Sequence, residues 1–443
     1  MAKRIVISCW GSHGDLFPYI GLALALKRHG HTPVVATNAG YRGEIEREGI
    51  EFVEAGPLID ANAANAHDFY KRVMDPVKGS EVIITELLMP KFRETYEQLR
   101  TALRGADLLV NHPITYAGPL AAEHARTPWL STVLAPLSLF SAHDPPVLPT
   151  APRLNDVPLV GPWLAHAILN LARPALRRWV KPVDNLRAEL GLEPAGHPMI
   201  EGQFSKHGTL ALFSRVLAEP QADWPPNVTI TGTSFYNGPE PLDAQLEEFL
   251  AAGEPPVVFT LGTSAVGAAG GFYQESAAAA AKLGVRAVML TGGFAQNRPS
   301  GLPPNVLLVD RAPHQLLFPR ASVVVHQCGA GTTAQGLRSG HPMLLVPHGH
   351  DQFDNARRVR KLGVARTLLP NEYRAERVAR ELRALLDEPR YRERGAAVSI
   401  VVREERGAEA AVAVIEKALA SGRALGARTA SHPPTPRAQS QRQ

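Results

Sequence analysis

Three short runs carry side chains whose types and spacing could do chemistry. His326-Gln327-Cys328-Gly329-Ala330-Gly331-Thr332-Thr333 follows an apolar run and opens a helical pattern. Its glycines let backbone approach a ligand closely, and free N–H groups at a helix start favour an anion such as a phosphate. Further on, Pro347-His348-Gly349-His350-Asp351-Gln352 closes a second apolar run. Adjacent acceptor and donor side chains at Asp351 and Gln352 suit a vicinal diol, and an N-cap role for Asp351 is compatible with that. Near the start, Gly11-Ser12-His13-Gly14-Asp15 sets a carboxylate at the mouth of a helix. It can take a proton from a hydroxyl or simply cap the helix. His326, His348, His350 and Asp351 are also metal-ligand types, but no supporting second shell is visible, and no metal is expected. A G-x-S-x-G elbow is absent, which argues against a serine hydrolase.

The elements that must position these residues are strands alternating with helices. Arg4 to Cys9, Pro33 to Ala36, Glu51 to Glu54, Asp107 to Val110 and Trp129 to Val133 read as strands, with helices between them such as Phe17 to His29. Pro and Gly cluster near residues 215–240, after which Val257 to Leu261, Ala287 to Thr291, Val306 to Val309, Val323 to Val325 and Met343 to Val346 restart the alternation. Such alternation predicts α/β architecture with parallel, doubly wound sheets, whose ligands lie outside the carboxyl ends of the strands. We read residues 1–220 as one domain, 221–240 as a linker, 241–420 as a second domain and 421–443 as a disordered tail.

Length and composition agree. A chain of 443 residues, 45% apolar and 20% charged, suits two soluble domains. The net charge of +5 comes with no basic stripe interleaved with aromatics, so nucleic acid is not an expected partner. Cys9 and Cys328 are too few for a disulfide framework and suit a reducing, cytoplasmic compartment. A signal-peptide pattern and an integral membrane span are both absent from the sequence pattern, while peripheral membrane contact stays open.

Taken together, P-H-Q-L-L-F-P, H-Q-C-G-A-G-T-T and P-H-G-H-D-Q-F-D-N-A resemble the donor-binding signature of nucleotide-sugar glycosyltransferases. The resemblance is to family 1, closest to its bacterial rhamnosyltransferase and sterol-glucosyltransferase branch, over about residues 3–418. It implies two Rossmann-like domains facing a cleft (the GT-B arrangement), with the last helix crossing back to the first domain. Gly11 to Pro18 looks like the bacterial G-S-x-G-D-x-x-P motif, which makes Asp15 the general base and His13 an assistant or a pocket residue. The donor set implied is Thr263, Ser264, Arg311, Ala312, His326, Gln327, Gly329, Gly331, Thr332, Thr333, Gln335, Asp351 and Gln352. The family's phosphate-binding His directly precedes the C-G or G-G pair; here Gln327 stands there and His326 one earlier, so either could face the diphosphate. Phe17, Phe69 and Phe140 lie near irregular segments and are the acceptor-pocket candidates. The implied enzyme is inverting, moving glucose or rhamnose from a UDP- or dTDP-sugar to a hydroxyl of a hydrophobic acceptor: a flavonoid or phenol, a sterol or a hydroxy lipid. The nucleotide sugar is a co-substrate and no cofactor is required. A nucleotide-sugar epimerase on the same fold and a non-catalytic helper of a transferase are the rival readings.

Overall fold

The computed structural model describes residues 1–58, 66–147, 149–150, 152 and 161–430. Thirteen strands appear among them: β1 Arg4–Ser8, β2 Thr32–Thr37, β3 Glu51–Glu54, β4 Leu108–Asn111, β5 Trp129–Val133, β6 Thr209–Ala211, β7 Val228–Ile230, β8 Val257–Thr260, β9 Ala287–Leu290, β10 Val306–Val309, β11 Val323–His326, β12 Met343–Leu345 and β13 Ala365–Thr367. They form two sheets, ordered β3-β2-β1-β4-β5-β6-β7 and β10-β9-β8-β11-β12-β13. The paired strands are parallel, as crossovers through helices require. Ile5, Val6 and Ile7 in β1 and Val323, Val324 and Val325 in β11 are fully buried, which suits β-branched runs covered by helices on both faces.

Each sheet has one point where the strand order reverses. In the first, β1 lies between β2 and β4; in the second, β8 lies between β9 and β11. Crevices open outside the carboxyl ends of such strands. The turn after β1 holds Gly11 to Asp15, and His112 follows β4. The turn after β8 holds Gly262 to Ser264, and Gln327 to Thr333 follow β11. The two candidate clusters therefore occupy equivalent places in two sheets.

Several boundaries differ from the sequence reading. Residues 221–240, read as a linker, contain β7, the edge strand of the first sheet. The helical stretch before β4 comes in pieces: a π-helical run Ile83–Leu88 ends before Pro90, and Phe92–Ala102 starts anew. The final helix runs Gly407–Ala430, past Ser421 where a tail was expected, and residues 431–443 lie outside the described residues. Its Ala411, Val412 and Ile415 are fully buried in the cluster that holds Ile5, Ile7 and Leu22, so the end of the chain completes the core of the first half. Glu409 anchors it through Arg28 and His29, each at 2.7 Å.

Candidate active site

The first cluster is built around a folded-back carboxylate. Asp15 lies in the first turn of the helix His13–Arg28, and its Oδ2 accepts from the Ser12 backbone N–H at 2.8 Å and from the Ser12 hydroxyl at 3.0 Å. So the capping reading is real. Gly11 makes the fold-back feasible: at φ 140° it takes a conformation disfavoured for side chains, and a Cβ there would stand 2.3 Å from Asp15 Oδ2. The other oxygen, Oδ1, faces His112 Nε2 at 3.8 Å. Burial pushes the Asp15 carboxyl upward, but His112 and the Ser12 donors outweigh it, and the group is held below the usual carboxylate value. An ionised acceptor that remains about a third exposed is what a general base needs.

His112 escaped the sequence reading, although Asn111-His112-Pro113 ends a strand beside β1. It is 4% exposed and its Nδ1 has no partner among the described residues. Its backbone is pinned by Asn111, whose amide donates to the His112 carbonyl at 2.9 Å and whose Oδ1 accepts from Ser8 at 2.6 Å. Tyr19 lies edge-on to the imidazole at 5.7 Å. Because Nε2 faces the Asp15 carboxylate, it is the ring atom suited to carry the proton.

The second cluster follows β11. The helix Ala330–Ser339 starts at Gly329, and Thr333 N already bonds the Gly329 carbonyl at 2.9 Å. The N–H groups of Ala330, Gly331 and Thr332 therefore form the open first turn. Cys328 sits at φ 71°, a conformation unusual for a residue with a side chain, which bends the chain into this turn. Gln327 is 2% exposed; its Nε2 reaches Thr332 Oγ1 at 3.4 Å, while its Oε1 and Thr333 Oγ1 have no partner among the described residues. Turned over, the same amide would accept from Thr332 and present N–H groups instead. The two alternatives for the phosphate-facing residue separate here. His326 is fully buried, its Nδ1 accepts from Cys328 N at 3.1 Å, and its Nε2 lies 3.3 Å from the Met343 sulfur. Burial, with His314 nearby, pushes its pKa down to about 3, so His326 is a neutral core residue and supplies no charge to the turn. Gly262 faces Gln327 and Thr332, Thr263 is exposed beside it and Ser264 half-buried.

Asp351 and Gln352 begin the helix Gln352–Lys361. The two side chains differ in freedom. Gln352 Oε1 accepts from the His348 and Gly349 N–H groups at 2.8 and 3.2 Å, so the oxygen of this amide holds the turn rather than a ligand. Asp351 accepts from Asn355 at 2.8 Å, and Asn355 in turn donates to the Cys328 carbonyl at 2.9 Å, which ties this helix to the glycine turn. Burial first, and then the negative charge of Asp15, push the Asp351 carboxyl up from 3.8 to about 7. That coupling places the two acids within electrostatic reach across the cleft. The backbones are closer still: a Cβ on Gly331 would lie 3.1 Å from the Gly14 Cα.

Other candidates are placed differently from expectation. His13 points away from Asp15, bonded to Glu44 at 2.8 Å and packed edge-on against Phe17 and Tyr41. It is a wall residue. Phe17 continues that wall to Tyr236 at 5.3 Å. Phe69 is half-buried and belongs with the second sheet: the helix Ala66–Val73 crosses over, and Phe69, Tyr70, Val73 and Met74 pack against that sheet's core. Tyr70 seats on Gly267 and meets Phe294 at 5.9 Å, near exposed Arg311. Phe140 is half-buried at φ 51°, after the turn Pro136–Leu139. Ala312 is half-buried on the approach to the helix His314–Leu317, and Gln335 is half-buried on the helix behind the glycine turn. Between the halves, Pro18, Leu134, Phe213 and Leu217 line a small apolar crevice that ends at Gly331 and Thr333.

Comparison with known proteins agrees with this architecture. Residues 5–128 match the family model for the glycosyltransferase family 28 N-terminal domain, and residues 276–420 that for the erythromycin biosynthesis protein CIII-like C-terminal domain. The chain is 30% identical over 428 residues to the O-mycaminosyltylonolide 6-deoxyallosyltransferase of Streptomyces fradiae, covering 94% of this chain and 97% of that one. It is 27% identical to a sterol 3-beta-glucosyltransferase of Arabidopsis thaliana, over 92% of this chain and 67% of that one. It spans 29% of the longer sterol 3-beta-glucosyltransferase of Leptosphaeria maculans. The solved structure of the glycosyltransferase VinC in complex with dTDP superposes with a TM-score of 0.66 at 21% identity, over 95% of this chain and 100% of that one, a likeness of fold. The chain belongs to the family 1 glycosyltransferases of GT-B fold, and it is a glycosyltransferase.

Proposed function

We propose that this protein moves a hexose from a UDP- or dTDP-sugar to a hydroxyl of a hydrophobic small molecule, with inversion at the anomeric carbon. The observation that carries the reading is the placement of ionised Asp15 opposite the open helix start at Gly331 and the carboxyl of Asp351. One base and one anion site are what direct displacement needs. Asp15 takes the proton of the acceptor hydroxyl as its oxygen attacks the sugar. His112, behind it, steadies the carboxylate and keeps it ionised. The N–H groups of Gly331 and Thr332, with the helix dipole, receive the charge that builds on the departing diphosphate. Asp351 accepts from a sugar hydroxyl.

The named relatives act, by their names, on O-mycaminosyltylonolide and on sterols, which supports a large apolar acceptor, and the dTDP complex supports a pyrimidine diphosphate donor. Thermal shift tests the donor half: UDP or dTDP at millimolar concentration should raise the melting temperature by mass action. If neither nucleotide moves it, the donor reading fails. Product analysis with phenols, sterols and hydroxy lipids tests the acceptor half. An epimerase would convert the sugar nucleotide without any acceptor.

A further inference from the structure

The helix Pro162–Trp179 is unlike the others. It has eighteen residues, none of them buried. Trp163 is 72% and Leu171 85% exposed, among the most exposed large apolar side chains described. The sequence is nevertheless amphipathic. Leu164, Ile168, Leu171, Ala175 and Trp179 follow one another at spacings of three and four; Leu164, Ile168 and Trp179 are half-buried, Trp179 against the core of the first half, while Leu171 and Ala175 stay exposed. His166, Asn170, Arg173 and Arg177 fall on another. From 161 to 181 the chain has no Asp or Glu but carries Arg173, Arg177, Arg178 and Lys181. Two of these are matched from outside the helix, Arg173 by Glu201 at 3.0 Å and Arg177 by Asp184 at 2.8 Å. Arg178 and Lys181 are exposed and make no ion pair among the described residues.

We infer that this helix lies on anionic lipid surfaces and brings the enzyme to an acceptor dissolved there, an inference that rests on the hydrophobic-acceptor reading above. A length of 18 residues, roughly 27 Å at the helical rise, suits a helix lying in the interface plane, and no helix among the described residues is long and apolar enough to cross a membrane. Exposed Trp163 and Leu171 share the solvent side of the helix with exposed Arg177 and Arg178, and Lys181 follows, so apolar and basic groups together face the medium, the two attractions that hold an interfacial helix. The charge selects the occupant. A second copy docked face to face would bring two acid-free, basic helices together, whereas anionic headgroups answer Arg178 and Lys181 directly.

Co-sedimentation of the full chain with phosphatidylcholine vesicles, with and without phosphatidylglycerol, tests this. The wild type should pellet with the phosphatidylglycerol vesicles and be released by salt. Trp163→Ser combined with Leu171→Ser, both at exposed positions, should bind roughly tenfold less or weaker still. So should Arg178→Glu combined with Lys181→Glu. Both variants should keep wild-type transfer to a water-soluble phenol and wild-type thermal shift with nucleotide. Wild type that stays in the supernatant at low salt would overturn the inference. So would undiminished binding by the Trp163/Leu171 variant, or light scattering that shows a dimer which this variant dissociates. Failure of the transfer reading would register separately, as vesicle binding without transfer to any acceptor.

Discussion

His112 governs the protonation state in which Asp15 works. Burial alone would raise the Asp15 carboxyl, and His112 is the principal group that reverses the shift. We expect His112→Ala to let burial win, so the acidic limb of the pH profile of kcat/KM should move to higher pH; an unmoved limb would remove His112 from the base. Asp351 shifts the opposite way, from 3.8 to about 7. The folded state then holds that proton more tightly than the unfolded chain does. Its favourable contribution is complete below 3.8 and is lost as pH rises through about 7. Asp351→Asn should therefore flatten the fall of melting temperature across that window, measured by calorimetry at several pH values. The same substitution should slow turnover while sparing binding of free diphosphate. Asp15, Asp351 and the threonines after Gly331 were legible because short motifs at strand ends carry them. His112 was not, because a single histidine after a strand looks like any other until β4 is seen beside β1.

At the scale of elements, the long buried strands and the helix starts at Gly14 and Gly331 could be read from apolar runs and glycine turns. The short strands β6 and β7 could not: each has three residues, and the edge strand β7 falls where proline and glycine cluster. Nor could the helix Ala66–Val73 be assigned to its partner, since the apolar residues that dock it onto the second sheet look the same as core residues of the first. The meeting of the two helix starts gives the element-scale test. A Cβ at Gly331 would lie 3.1 Å from the Gly14 Cα and 3.3 Å from its carbonyl oxygen, both backbone atoms that cannot rotate aside. Gly331→Ala should leave the fold intact, part the two turns and lower turnover roughly tenfold or more. Steady-state kinetics beside an unchanged circular dichroism spectrum would check it.

Across the whole molecule, the halves are joined by a buried ionic latch as well as by the final helix. Arg358, on the helix that Asp351 opens, donates to Asp354 at 2.7 Å, to the Leu217 carbonyl at 3.1 Å and to Asp144 from the loop after β5. Val147 N donates to the second oxygen of Asp354, which is fully buried. Burial raises the Asp354 carboxyl, and Arg358 acts against that. Arg358→Ala would strand this acid, and we expect a loss of about 3–5 kcal/mol in urea unfolding, read as a lower midpoint. The contacts of this latch between the halves were not visible in the sequence, because Asp144 lies 214 positions from Arg358 and Val147 lies 207 from Asp354.

The central claim is that Asp15 removes the acceptor proton across the cleft from the donor. Asp15→Asn keeps the size and some capping capacity but cannot take that proton. Single-turnover transfer to an alcohol and to an acidic phenol, in wild type and in Asp15→Asn, is the direct measurement. We expect the variant to bind nucleotide normally and to transfer sugar to the alcohol at least about a hundredfold more slowly, with a smaller loss on the phenol, which can supply its own anion. Near wild-type transfer to the alcohol would contradict the claim.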